Sequence, residues 1–312
     1  MPARRLTKAH SARRKNWEGF PEVVVESFEH LPAYSVNLKD RITWCQEHAE
    51  PIAEALYQKC HDAGATVLSL DVFDTVLLRN DIPEAERYAE MSALALTYLR
   101  ENGFDSEEQL TADDLLLARA NGLMFAYRTT PQQGTAREGH IETVYKYQAT
   151  ALGLPDDAAM CLHKAEIDYE ASVLAANPAI SLLMQKAKAA GHKVVLLSDM
   201  YLPAAMIEEL LNAVFDSAPP YDLLLSSADS GHSKRGGSAF PLVEETLELG
   251  GETVFHLGDS LTSDVSKPFE YGWKSFYFPI SPQEATARQA RLKKFVQKMK
   301  KSGLDITRWA QA

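Results

Sequence analysis

Thr66-Val67-Leu68-Ser69-Leu70-Asp71-Val72-Phe73-Asp74-Thr75 is the stretch on which the reading of this chain turns. A short apolar run that stops at an aspartate reads as a buried strand carrying a carboxylate to its end. Four more runs look alike: Lys193–Leu197, Asp222–Leu225, Thr253–Leu257 and Ser275–Phe278. Polar signals follow in order: Ser198 after the second run, Lys234 in a Gly/Ser loop, then Gly258-Asp259-Ser260 with Asp264. Helical patterns separate the runs. Met206, Ile207, Leu210, Leu211 and Val214 form an apolar stripe with Glu208 and Glu209 opposite. Asn177-Pro178 reads as an N-cap with proline in the first turn, and Gly191 ends that helix. The alternation predicts an α/β fold with a doubly wound parallel sheet, whose strand carboxyl ends line one crevice.

From Asn80 to Ala176 no strand is expected. Helices are predicted from Pro83 to near Gly103, after Thr111 with Asp114 completing a capping box, over Ile141–Leu152, and over Asp156–Ala175. Thr129 to Gly134 reads as a loop among them. A helical insertion at a strand's carboxyl end must cover the crevice, so it reads as a cap hinged near Arg79 and Asn177. The expected organisation is a basic leader and N-terminal helical extension (1–64), an α/β core (65–79 and 177–282), the cap (80–176), and a basic C-terminal helix (283–312). Asp40–Gly64 is expected to be helical with an interruption at Pro51. In the C-terminal helix Leu292, Phe295, Val296 and Met299 make a stripe among lysines. That stripe packs on its own chain or lies on an anionic membrane surface.

Composition narrows the function classes. A net charge of −11 disfavours general nucleic-acid binding, which draws on a basic footprint. The leader is locally basic (Arg4, Arg5, Lys8, Arg13, Arg14, Lys15) and reads as a solvated segment. No run nears the roughly 18 apolar residues of a membrane span, and the Met1 end has no secretory-type apolar stretch. Cys45, Cys60 and Cys161 share no metal-ligand spacing and are odd in number, so neither a zinc site nor a disulfide framework is expected. Cys60 falls at helical spacing with Ile52 and Leu56, a buried apolar position. A cytoplasmic location fits.

Phosphoryl transfer requires a nucleophile, neutralisation of phosphate oxygens and a proton for the leaving group. Asp71 supplies a carboxylate nucleophile. Asp71 and Asp259, with the Phe73 carbonyl, offer a hard oxygen site suited to Mg²⁺, and Asp264 holds a metal-bound water or steers Lys234. Ser198 and Lys234 can bind phosphate. Thr75, Asp199 and Arg79 are expected substrate contacts.

The order Asp71–Thr75, Ser198, Lys234, Gly258-Asp259…Asp264 resembles the haloacid dehalogenase superfamily. Asp71 to Arg79 together with Ser198-Asp199-Met200-Tyr201-Leu202-Pro203 is similar to a bacterial branch of its hydrolases associated with glycosyltransferases of surface-polysaccharide assembly. The resemblance implies a nucleophilic Asp71 forming an aspartyl-phosphate, Ser198 and Lys234 on phosphate, and Asp259 on Mg²⁺. Its implied activity is Mg²⁺-dependent hydrolysis of a small phosphorylated metabolite, such as a sugar phosphate, beside polysaccharide-assembly enzymes. Phe73 departs from the pattern: the superfamily's phosphatases carry there an aspartate that protonates the leaving group, while its dehalogenases carry an aromatic. Two alternatives follow, a degenerate phosphate-binding or regulatory protein and a metal-independent dehalogenase. Asp74 and Asp199 are possible replacement acids, weighed against a tight-turn residue and a helix N-cap. His256 reads as a packed core residue and His232 as a loop residue. Arg79, Arg119, Arg128, Arg137, His140 and Tyr145 are cap residues weighed as substrate contacts.

Overall fold

The computed structural model describes residues 40–132 and 136–310, with Leu31 and Leu38. The basic leader and part of the expected loop before Gly134 lie outside the described residues. Helices α1 (Arg41–Glu47) and α2 (Ala49–Asp62) lead into the sheet. Asp40 caps α1 by accepting from the N–H groups of Ile42 and Thr43. The helical interruption comes at His48 rather than at Pro51, which sits in the first turn of α2, where a missing N–H costs no hydrogen bond.

The chain continues through β1 (Val67–Asp71), β2 (Leu77–Arg79), α3 (Glu84–Glu101), α4 (Ala112–Thr129), α5 (Ile141–Leu152), α6 (Ala159–Val173) and β3 (Leu174–Ala176). It then forms α7 (Pro178–Ala189), β4 (Lys193–Ser198), α8 (Ala204–Val214), β5 (Leu223–Ser226), α9 (Ala239–Thr246), β6 (Val254–Gly258), β7 (Lys274–Tyr277) and α10 (Pro282–Lys301). Strands β5-β4-β1-β6-β7 make one parallel sheet, each where an apolar run predicts it. β1 and β6 are buried along their whole length, and β4 is buried beyond Lys193, as strands covered on both faces must be. From β1 the chain builds outward to β4 and β5, then returns to build β6 and β7 on the other side. The order therefore reverses about β1, and the carboxyl ends of β4, β1 and β6 open one crevice.

The helical insertion has its expected elements, including the Thr111–Asp114 capping box. One expectation fails: Leu174–Ala176 is a strand, pairing antiparallel with β2 (Leu77 opposite Ala176, Arg79 opposite Leu174). Three residues are too few to display a period of two, so this ribbon has no sequence signature. It brings the insertion's exit and return side by side. The stripe of α10 faces its own chain, where Phe295 and Met299 pack with Leu116 and Ile306. The same helix reaches the passage between sheet and insertion. Arg288 donates to the carbonyls of Arg79 and Asn80, and Arg291 pairs with Asp81 and Glu86. Among the described residues no helix is long and apolar enough to cross a membrane. All three cysteines are buried and unbridged, and burial pushes the Cys60 thiol up to about 11.

Candidate active site

β1 delivers Asp71 to the crevice, and the next five residues fold into a tight turn. Val76 and Leu77 both donate their N–H groups to the Val72 carbonyl at 2.9 Å. Asp74 takes φ 62°, a left-handed conformation that aspartate tolerates better than most residues. Thr75 is fully buried, and its hydroxyl donates to Asp71 Oδ2 at 3.2 Å. It does not line the cavity, so the expected substrate contact is instead an orienting group for Asp71.

Opposite stands Lys234, 1% exposed. Its ammonium donates to Asp71 Oδ1 and pairs with Asp264 Oδ1 at 2.7 Å. The Lys234 loop is itself held by Asp199, whose two carboxylate oxygens accept the N–H groups of Lys234 and Arg235, each at 2.8 Å. Asp199 is thus neither a helix N-cap nor a carboxyl free for proton transfer; it clamps the loop that carries the lysine.

Asp264 lies in a π-helical turn, Leu261–Ser266, opened by Ser260. Its Oδ2 accepts the Ser260 N–H at 2.8 Å and its Oδ1 accepts from His256 Nε2 at 3.1 Å. Because the Asp264 carboxylate can only accept, Nε2 carries the proton, and in the neutral ring Nδ1 accepts from the Ser69 hydroxyl at 2.8 Å. Burial keeps this histidine neutral by lowering its pKa. His256 is a core residue, as expected, but it also orients a charged group. Gly258 permits the arrangement: a Cβ there would lie 2.4 Å from Asp264 Cγ.

The third carboxylate, Asp259, forms no ion pair among the described residues. Oxygens of Asp71, Asp259 and Asp264 lie within 4.8 Å of one another. Three carboxylates share one ammonium. Burial, then Asp71 and its acidic neighbours, hold the Asp259 carboxyl well above the usual range. Burial raises Asp71 to about 7 against the pull of Lys234. Lys234 and His256 overcome burial at Asp264 and keep it ionised. Hard oxygens around an uncompensated charge fit a divalent cation, with Asp71 and Asp259 the better donors, because Asp264 already accepts from three groups.

The crevice is a cavity of about 650 Å³. Ser198, at the end of β4, lines it, as do Phe73 and Arg79. Arg79 stands 4.3 Å above the Phe73 ring and 3.6 Å from Glu170, so it too is tied to the protein. Asp74 cannot replace a proton donor: although buried, it is held well below the usual range by Arg41, Arg288 and Arg79. Arg41 and Arg288 bond its carboxylate at 2.8 and 3.0 Å. Of the other weighed cap residues only Arg137 lines this cavity. Arg119 is paired with Glu166 at 2.6 Å, His140 caps α5, Tyr145 is buried against His163, and Arg128 faces a different cavity. His232 sits in the loop after β5, as expected. Glu84, Tyr127, Glu138 and Arg235 also line the crevice. Glu84 and Tyr127 are brought there by helix packing, Glu138 by the loop before α5, and Arg235 by the Lys234 loop.

No family model and no curated protein matches the chain. Solved structures do. A 2-haloacid dehalogenase from Pseudomonas syringae matches with TM-score 0.46 and 13% identity, covering 73% of this chain and 99% of that one. A HAD family enzyme from Bacteroides thetaiotaomicron, in a magnesium complex, matches with TM-score 0.41 and 18% identity over 70% and 95%. An L-2-haloacid dehalogenase from Xanthobacter autotrophicus matches with TM-score 0.41 and 16% identity over 72% and 81%.

Proposed function

We propose that this chain is a Mg²⁺-dependent hydrolase of the haloacid dehalogenase superfamily that removes the phosphoryl group of a small phosphorylated metabolite. The observation that carries this reading is the buried Lys234 between Asp71 and Asp264, with Asp259 unpaired beside them. Asp71, its two oxygens oriented by Lys234 and Thr75, attacks phosphorus, and the bond to the leaving oxygen breaks. Water then attacks the aspartyl-phosphate at phosphorus, releasing phosphate and restoring the carboxylate. Ser198 and Lys234 hold the phosphate oxygens. Asp71 and Asp259, with the Phe73 carbonyl, would hold the cation, which neutralises charge between carboxylates and phosphate.

Without an acid at position 73, a leaving group that departs as a weak base suits this site. An aryl ester or an activated sugar satisfies that better than an ordinary sugar phosphate, which leaves as an alkoxide. In this reading residues 80–176 act as a cap over the core of residues 65–79 and 177–282. Placement in the cytoplasm beside polysaccharide-assembly enzymes belongs to the same reading and rests on composition and resemblance.

Phe73 favours a second reading, a metal-independent dehalogenase. The donor set opposes it: a metal-independent reaction leaves the clustered oxygens of Asp71, Asp259 and Asp264 without a cation to hold. A panel of aryl, acyl and alkyl phosphates, assayed with Mg²⁺ and with chelator, tests the proposal. Turnover should need Mg²⁺ and vanish in Asp71→Asn. Halide release from a 2-haloacid in chelator would replace it with dehalogenation, and tight phosphate binding without turnover would replace it with a binding role.

A further inference from the structure

A second cavity, of about 460 Å³, adjoins the catalytic one and shares Glu84, Tyr127 and Tyr201 with it. Its character is different. Leu116, Ala120, Leu123 and Met124 of α4 form one side. Tyr88 of α3 forms another, and Ile306 and Trp309, after α10, close it. Ile306 is 1% exposed and packs on Leu116, so the C-terminal segment is a fixed wall. The side chains common to the two cavities are also held in place. Tyr201 and Tyr88 flank the Arg119 guanidinium, with ring centres 5.7 and 4.5 Å away. Tyr127 lies so close to Gly139 that a Cβ there would meet its ring at 2.8 Å. Glu84 stands at the junction, accepting from the Tyr88 hydroxyl.

A ligand spanning both spaces would carry its anion at the catalytic end and a largely apolar group at the other, where Arg128 and Arg308 stand among the apolar side chains of the lining. The volume is that of a pocket for a drug-sized group, within the usual range of about 300–1,000 Å³. Phe73 adds an independent constraint, since a leaving oxygen that receives no proton must belong to a weak base. The geometry points to an aryl phosphomonoester as substrate, its phosphorus facing Asp71, its aryl oxygen leaving on the opposite side, and an apolar extension seated among α3, α4 and the C-terminal segment. This rests on the phosphatase reading, which it narrows to a substrate class.

The test compares 4-ethylphenyl phosphate with 4-(4-phenylbutyl)phenyl phosphate, esters of closely matched leaving-group acidity, in the full chain with Mg²⁺. The longer ester should have kcat/KM at least about tenfold higher, from burial of its extension. Met124→Trp, which fills the second cavity, should bring the ratio of the two esters towards one. A wild-type ratio near one overturns the inference. If neither ester is hydrolysed the phosphatase reading fails, and the cavity is judged by calorimetry with 4-(4-phenylbutyl)phenol. Binding that weakens at least about tenfold in Met124→Trp supports the apolar site, and no binding to the wild type overturns it. Leu123→Gln, a change of polarity at similar volume, serves the same comparison if the tryptophan variant does not fold.

Discussion

Two regions of this molecule bury charge in opposite ways. Inside the helical insertion each buried carboxylate has its own guanidinium: Glu166 pairs with Arg119 at 2.6 Å, and Glu170 with Arg87 at 3.0 Å and with Arg79 at 3.6 Å. At the carboxyl ends of β1 and β6 two of three clustered aspartates, Asp71 and Asp264, pair with one lysine, and Asp259 has no ion pair among the described residues. Burying a charge costs several kcal/mol unless a partner compensates it. The insertion's carboxylates are therefore compensated by Arg119, Arg87 and the neighbouring Arg79, whereas burial holds Asp71 and Asp259 in the crevice toward the protonated form until a cation ionises them. Asp74, close to Asp71 in sequence, belongs with the balanced set, since Arg41, Arg79 and Arg288 surround it. Two carboxylates three residues apart thus have opposite characters, set by their neighbours.

The largest effect should come from unbalancing the insertion. Arg119→Met leaves Glu166 buried and unpaired, and should lower unfolding free energy by about 3–5 kcal/mol, read by urea titration. Adding Glu166→Gln should recover most of that loss. No recovery would mean that Arg119 acts by packing on Tyr88 and Tyr201 instead.

Within the crevice, Gly258→Ala drives a methyl group into Asp264 and should displace Lys234 with it. A catalytic group misplaced by about 1 Å costs on the order of 10²-fold, so kcat should fall by about that factor, with global stability changing less than in Arg119→Met. Phe73→Asp sharpens the contrast by adding a fourth carboxylate. If the missing proton donor limits turnover, activity towards an alkyl phosphate should rise at least about tenfold more than towards an aryl phosphate. Removing the ring that Arg79 covers also removes a cation–π contact of about 0.5–2 kcal/mol, so the comparison needs a stability measurement alongside it.

The smallest effect is on pH. Asp71, raised to about 7 in the folded metal-free protein, stays protonated there at pH values where it ionises in the unfolded chain. Its stabilising contribution is present in acid and lost as pH rises through about 7. A cation needs the ionised form, so Mg²⁺ affinity should strengthen over the same interval, by up to about tenfold per unit for each proton released. Thermal unfolding with and without Mg²⁺ should show a larger metal-induced rise at pH 8 than at pH 5.5. An equal rise at both would show that the crevice charge is already balanced.

The sheet and its four chemical signals were legible because each is local. A buried parallel strand is a short apolar run, and the residue at its end is where the crevice must be, so Asp71, Ser198 and Asp259 could be found by position. Lys234 was found by its loop and its order among the others. What stayed hidden depends on distant pairing. Asp74 owes its ionisation to Arg41 and Arg288, 33 and 214 residues away. Thr75 and Asp199 have the polarity of substrate contacts; Thr75 bonds to Asp71 away from the cavity, while Asp199 lines the crevice and also holds the backbone of the Lys234 loop. Glu84 and Tyr127 reach the cavity through helix packing and Glu138 through the loop before α5, which no local pattern records. The β2–β3 ribbon was too short to show a period.

That ribbon and α10 together bear on how the insertion is held. The insertion leaves and rejoins the rest of the chain through two adjacent strands, like a door hung on one edge. Here Arg288 is fastened to both carbonyls at the hinge, Arg79 and Asn80, and Arg291 to Asp81 and Glu86 just beyond it. Farther along, Phe295 and Met299 are seated on Leu116, well inside the door. The C-terminal helix is in effect a splint laid across the joint, fastened at one end to the chain that leaves the sheet and at the other to a helix of the insertion itself.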